Sequence, residues 1–316
     1  MCPLRGICGY PRSGTCAGWG RVIEFYWSPI RSSGWCGCIR PRRLTGYVWE
    51  LCRLSGSEEA VLLKIARLLS GRIVDYLSPN YAYLWHEARA GARVLTAKER
   101  ERLILYLEPH LGHPDAAPVE HDERAQGSVS EFLWHELVRH RAERDRKIAR
   151  IEGPGFAVTN PGGDGLVVYE FSTGRLAFRL WEIKKHTAKG DVSVTVGNAY
   201  RQLDDRALSY LARYSGVAQQ LTDRPDLRPF YATLVDKWQE NDESVGAGVA
   251  VATSCQGNES AECFTGLPTR FPHLTDGDRL EGLLTAIGDF AELSSPRISQ
   301  PQLVADVPDG DQNPRR

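Results

Sequence analysis

The chain lacks the run of roughly 20 apolar residues that a bilayer-spanning helix needs, so no part of it reads as a membrane segment. It also lacks a Gly-x4-Gly-Lys-Ser/Thr loop, and no Gly-x-Gly-x-x-Gly follows a predicted strand. Those absences argue against a nucleotide-driven motor and a dinucleotide enzyme. No Gly-x-Ser-x-Gly elbow is present, which removes the commonest serine-hydrolase signature. The net charge of -1 leaves no protein-wide basic field, so any nucleic-acid contact must be local. Internal repeats are absent. Lysine is scarce, with seven among 39 basic residues, and three of them, Lys184, Lys185 and Lys189, lie close together. A compact ammonium placed in an otherwise Arg-supplied chain suggests a site that needs one. The opening residues, broken by Arg5, Arg12 and several Gly and Pro, do not read as a secretory signal, and the expectation is a cytoplasmic protein.

What is present is an ordinary globular composition over 316 residues, enough for one large domain or two modest ones. Residues 1–56 stand apart. They carry eight Arg against two Glu, and hold Cys2, Cys8, Cys16, Cys36, Cys38 and Cys52. Without a secretory signal a disulfide framework is disfavoured, and Cys36-Gly37-Cys38 lacks the Cys-x2-Cys spacing of a zinc site. With no sustained periodicity, residues 1–56 read as a weakly structured Cys-, Arg- and Gly-rich leader whose removal should be tolerated.

From Ser57 the pattern becomes helical, with Val61, Leu62, Ile65, Leu68 and Leu69 on one face and Gly71 closing the helix. A second helix opens at Thr96, and 112–127 reads as a linker; 57–127 is therefore a helical N-terminal region with its linker. The next unit, 128–293, is predicted to contain a helix over 128–151 and a hairpin with strands 166–171 and 176–185. A long helix over about 196–214 should follow, then strands at 230–238 and 245–253 and a last helix at about 278–293. The tail, 294–316, reads as disordered. The order predicts an α/β (α+β) protein with a mixed β-sheet flanked by helices.

The hairpin carries the chemistry. Gly162-Gly163-Asp164-Gly165 opens its first strand, and Trp181-Glu182-Ile183-Lys184 ends its second. Side chains two apart on a strand share a face, about 6–7 Å from each other. Asp164 folds back toward Glu182 and Lys184, so two carboxylates and one ammonium converge where a divalent metal and a phosphate could sit. Asp164 and Glu182 could hold Mg²⁺, and Lys184 could orient a water or offset charge on phosphoryl oxygens. The alternative is an exposed hairpin ending in a charged pair.

A third carboxylate should come from the preceding helix. At 100° per residue with Phe132 at 0°, Val129, Leu133, Leu137, Ile148 and Ile151 fall between roughly 60° and 160°. Glu136 falls near 40° and so is preferred, while Glu131 falls near 260° and sits at capping-box spacing from Ser128. Glu131 remains the alternative. His135 and His140 mimic a zinc-protease helix, but their five-residue spacing turns them about 140° apart, so they cannot share one ion. Gln202, Arg201, Lys185 and Lys189 are candidates for contacts to a phosphate backbone.

Glu136 on a helix, Asp164 at a strand start, Glu182-x-Lys184 on the next strand and Gln202 on the following helix resemble the PD-(D/E)xK, or restriction-endonuclease-like, nuclease superfamily. The match covers about residues 128–253. Two features depart from the pattern: Pro161 is separated from Asp164 by two glycines, and Arg206 stands where some exonuclease branches place Tyr. The resemblance implies a restriction-endonuclease-like sheet and a metal-dependent nuclease acting on DNA. In it Asp164, Glu182 and Glu136 hold Mg²⁺, with Mn²⁺ as a substitute, and Lys184 assists the attacking water. The hairpin and Gln-bearing helix behind a helical N-terminal half are also similar to nuclease effectors of anti-phage systems such as Hachiman, which implies a helicase partner. The competing class is a non-catalytic nucleic-acid- or partner-binding module on the same fold.

Overall fold

The computed structural model describes residues 36–44, 46–54, 59–77, 79–111, 118–141, 146–154, 164–187, 190–216, 224–254 and 261–293. Residues 1–35, the tail 294–316, the glycines at 162–163 and Lys189 lie outside them.

Seven strands form one mixed sheet: β1 (Cys36–Leu44), β2 (Tyr47–Leu54), β3 (Arg146–Glu152), β4 (Gly165–Phe171), β5 (Leu176–His186), β6 (Ala247–Ser254) and β7 (Leu280–Ile287). Their spatial order is β1-β2-β7-β6-β5-β4-β3. The four central strands β2, β7, β6 and β5 run parallel, and β1, β4 and β3 pair antiparallel with their neighbours. The expected mixed sheet flanked by helices is therefore present. Among the described residues no helix is long and apolar enough to cross a membrane.

Helices cover both faces. One side carries α1 (Glu59–Leu77), α2 (Pro79–Arg89), α3 (Ala97–Leu111) and α4 (Pro118–Arg139). The other carries α5 (Val192–Gly216), α6 (Arg228–Ala232), α7 (Leu234–Gln239) and α8 (Leu267–Arg270). A short helix, α9 (Phe290–Leu293), packs with the first group. Helix α3 starts as its sequence dictates: Thr96 N–H donates to Glu99 Oε2 at 3.0 Å, and Glu99 N–H returns to Thr96 Oγ1 at 3.3 Å. Asp191 caps α5 by accepting from Ser193 N–H at 2.8 Å.

From Ala125 to Val138, α4 is buried nearly all round because it lies between two layers. Val129, Phe132 and Leu133 meet Ile65, Leu69 and Ile73 of α1. Trp134 and Val138, on its other side, meet Val167, Trp181 and Ile183 of the sheet. Helix α5 covers the opposite face through Val196, Ala199, Leu203, Ala207, Tyr210 and Leu211, packed with Leu166, Phe178, Leu180 and Val249.

Several expectations are corrected. Residues 36–44 and 46–54 do not belong to the weakly structured leader expected over 1–56: β2 pairs with β7 from Val48↔Glu281 to Leu54↔Ile287, and Trp49, Leu51 and Cys52 are buried. Cys52 and Cys263 are buried. The 112–127 linker is helical from Pro118, a residue suited to a first helical turn. Gly71 does not end α1, which continues to Leu77. Residues 146–152 form β3 and do not continue the helix begun before 128. Residues 280–287 form the central strand β7, although Leu280, Leu283, Leu284 and Ile287 have helical spacing. That spacing carries no information in a strand buried on both faces, where every position is buried. Residues 228–239 are the short helices α6 and α7 instead of a strand; Tyr231, Leu234, Val235 and Trp238 face the core at helical intervals.

Candidate active site

The site forms where one strand outruns its neighbour. Strand β5 pairs with β4 only as far as Gly165↔Trp181, yet pairs with β6 through Thr253↔His186. Beyond Trp181 one edge of β5 is open, and a notch results. Asp164, the residue before β4, fills the place of the missing backbone: its Oδ2 accepts the Ile183 N–H at 2.7 Å. That bond sets Asp164 opposite Glu182.

Glu182 and Lys184 alternate with Trp181 and Ile183, so they face the α5 side while the latter pack under α4. The Lys184 ammonium lies 2.5 Å from Glu182 Oε1; Glu182 is fully buried and Lys184 is 29% exposed. Asp164 and Glu182 are within hydrogen-bonding reach of each other. The expected convergence of Asp164, Glu182 and Lys184 is therefore present.

The α4 carboxylate that interacts with Asp164, Glu182 and Lys184 is Glu131, whereas Glu136 has other partners. Glu131 interacts electrostatically with Asp164, Lys184 and Glu182. It shares the sheet-facing side of α4 with Trp134 and Val138, three and seven residues on. Trp134 presses so closely on Gly165 that a Cβ there would lie 2.1 Å from the indole ring. This glycine lets α4 approach the sheet, and the notch lets Glu131 reach past the sheet's end to groups on its far side.

Glu136 has other partners. Arg72 Nε of α1 stands 3.3 Å from its Oε2, His140 Nε2 lies at 3.5 Å and His135 Nδ1 at 3.4 Å from Oε1. Burial pushes its pKa up, but the two histidines and Arg72 outweigh burial and hold it well below the ordinary range. It is a buried structural anion tying α4 to α1. The sequence argument failed because Ile148 and Ile151, which helped define its apolar arc, belong to β3. The capping role that discounted Glu131 also vanishes, since Ser128 is in the interior of a helix that starts at Pro118.

Gln202 does face the site's surroundings. Its Nε2 donates to the Tyr210 hydroxyl at 3.1 Å, two turns along α5. Tyr210 senses Glu182 and Asp164 and in turn influences Lys184. Sequence reasoning missed Tyr210; the available signal was its eight-residue spacing from Gln202, which returns a side chain to nearly the same helix face. Arg201 is exposed and bonded to Asn198 on its own helix. Lys185 points to the α4 side, where its Nζ donates to Gln126 Oε1 at 3.0 Å. Neither belongs to the carboxylate cluster.

Three carboxyl groups and one ammonium cannot all be charged comfortably in a half-closed notch. Burial, then the charge of Asp164, push Glu182 up to about 8, against the pull of Lys184. Burial and the same neighbour push Glu131 up to about 8. Asp164 is also raised by burial, with Lys184 and the Ile183 N–H opposing. Burial works against the Lys184 ammonium, but Asp164 and Glu182 outweigh it and raise its pKa.

Among the described residues no group of three or more His, Cys, Asp or Glu side chains is close enough to hold a metal ion. The donor set nevertheless suits a hard divalent cation. Both Glu182 oxygens are sealed from solvent without a well-aligned hydrogen bond, and the carboxyls outnumber the ammonium. Mg²⁺ characteristically takes one or two protein carboxylates and keeps several waters. No protein-family model matches this chain, and no curated protein shows significant similarity to it.

Proposed function

We propose that this protein is a metal-dependent nuclease that hydrolyses phosphodiester bonds of DNA. The observation that carries this reading is the convergence of Glu131, Asp164, Glu182 and Lys184 at the notch beside β5. Asp164 and Glu182 would hold the ion, with Glu131 completing the acidic wall. When bound, Mg²⁺ or Mn²⁺ would supply Lewis acidity toward a phosphoryl oxygen.

The chain's own groups divide the remaining work. Lys184 has its pKa raised by the carboxylates, so at neutral pH it is a fixed ammonium. It therefore donates hydrogen bonds and offsets charge building on the phosphate, and it is not a base. Glu131 keeps its own proton at pH 7 in the metal-free protein; it would take the proton of the attacking water once a bound cation has driven that proton off. A helicase partner and a role in anti-phage defence follow from the family resemblance; the chain carries no nucleotide-motor loop of its own.

Plasmid cleavage with Mg²⁺ and Mn²⁺ titrations tests the reading. Asp164→Ala and Lys184→Ala should each lower the rate by at least about 10²-fold. A second reading, a binding module without cleavage, is favoured by the closed Glu182–Lys184 contact. It wins if folded wild-type protein binds DNA but leaves it intact in both metals, alone and with a helicase.

A further inference from the structure

Tyr210 belongs to neither the carboxylate motif nor the pattern of the resemblance, yet its hydroxyl is held by two side chains on the α5 side of the notch. The residue is 1% exposed, within the packed face of α5 that covers β5. Two side chains of the same helix hold its oxygen. Gln202, two turns upstream, donates at 3.1 Å, and Arg206, one turn upstream, also hydrogen-bonds to it. A phenol oxygen has two lone pairs and one proton. With both lone pairs engaged, only the proton is left to give, and among the described residues nothing accepts it. Burial and the charges of Glu182 and Asp164 keep the phenol protonated.

A buried O–H, held by its own helix beside an acidic metal-type site, is built to meet an acceptor that arrives from outside. We propose that Tyr210 is a catalytic phosphate contact: its hydroxyl donates to a non-bridging oxygen of the scissile phosphate. Gln202 and Arg206 are positioning residues that fix the direction of that donation. Tyr210 and Lys184 would then be the two donors to the phosphate, beside the carboxylates with which both interact. The assignment rests on the nuclease reading.

Tyr210→Phe removes one oxygen and keeps the ring. The expected result is unchanged circular dichroism and Mn²⁺ affinity, with kcat reduced by about 10²-fold, the scale of losing one oriented donor to a developing anion. Gln202→Leu should give a smaller loss of the same kind. Phosphorothioate DNA supplies a readout that a packing role would not move. In Mn²⁺, which tolerates sulfur better than Mg²⁺ does, one diastereomer should still be cut slowly by wild type, and Tyr210→Phe should lose that discrimination. Binding of a short oligonucleotide in Ca²⁺, followed by fluorescence anisotropy, separates the two claims. Wild type that cuts, with Tyr210→Phe matching it in rate and in diastereomer preference, overturns the Tyr210 assignment alone. Wild type that binds without cutting, with binding weakened in Tyr210→Phe, keeps the phosphate contact and removes the nuclease. Wild type that neither cuts nor binds removes both.

Discussion

Glu131 and Glu136 lie on the same helix, and replacement by Gln should move the protein's stability in opposite directions. Glu136 is 1% exposed and ionised, with Arg72, His135 and His140 around it. Removing one partner of a buried ion pair costs about 3–5 kcal/mol when the other charge is stranded. Arg72 is 14% exposed and keeps Asp75 at 3.7 Å, so Glu136→Gln should cost less, about 2–3 kcal/mol. At roughly 2 °C per kcal/mol for a chain of this size, Tm should fall by about 4–6 °C. Glu131 is the reverse case. Its pKa is pushed up to about 8, so at pH 7 the fold must keep protonated a group that the unfolded chain ionises freely. Gln resembles the protonated form, and Glu131→Gln should stabilise the metal-free protein, on the order of 1–3 kcal/mol. It should also abolish cleavage, whereas Glu136→Gln should retain cleavage below its Tm. Differential scanning fluorimetry at pH 7 without metal, paired with plasmid cleavage in Mg²⁺, reads both. The reasoning is refuted if Glu131→Gln lowers Tm, or if folded Glu136→Gln is the inactive one.

Deleting residues 1–56 should unfold the protein: it strips Tyr47, Val48, Trp49, Leu51 and Cys52 from the core. At about 1.5–3 kcal/mol per buried side chain the loss is on the order of 10 kcal/mol, comparable to a whole domain's stability; a sharp thermal transition in the truncated protein would refute this. Metal-free protein should lose stability as pH rises from about 4.5 to about 8, because folded Glu131 and Glu182 keep protons that the unfolded chain has released. Glu136 and Glu281, the latter held down to about 2 by three arginines despite its burial, work in the opposite sense only in acid. Urea titrations at pH 5 and pH 8 check the sign; Mg²⁺ should reduce the difference, and greater stability at pH 8 without metal would contradict the site's electrostatics. Gly165→Ala places a methyl against the Trp134 ring and should cost about 1–3 kcal/mol while displacing α4 and Glu131; unchanged melting and cleavage would mean that this close approach is not required.

The strands that carry Asp164, Glu182 and Lys184 were legible because a hairpin is local: two apolar runs, a Ser-Thr-Gly turn and the alternation of side chains determine who faces whom. Helix α5 was legible from its apolar repeat for the same reason. What the chain hid was tertiary. Leu280 to Ile287 have helical spacing by coincidence, and only their position between β2 and β6 makes them a strand. Ile148 and Ile151 extended an apolar arc that ended, in fact, at Arg139, and the choice of Glu136 over Glu131 followed from that error. Nothing local reveals that β5 outruns β4, or that a carboxylate from one face of the sheet can reach groups on the other.

The pairing of β2 with β7 also bears on how the chain is made. Residues 48–54 leave the ribosome before residues 281–287, and although β1 can pair with one of their edges, the other must wait for β7. Until then the β1–β2 hairpin, with Trp49 and Leu51 on its second strand, presents an unpaired edge, the kind of surface that recruits chaperones or neighbouring nascent chains. Closing so distant a contact is slow. Synthesis at lower temperature, or with added chaperone, should therefore govern the yield of active protein more strongly than any substitution in the notch.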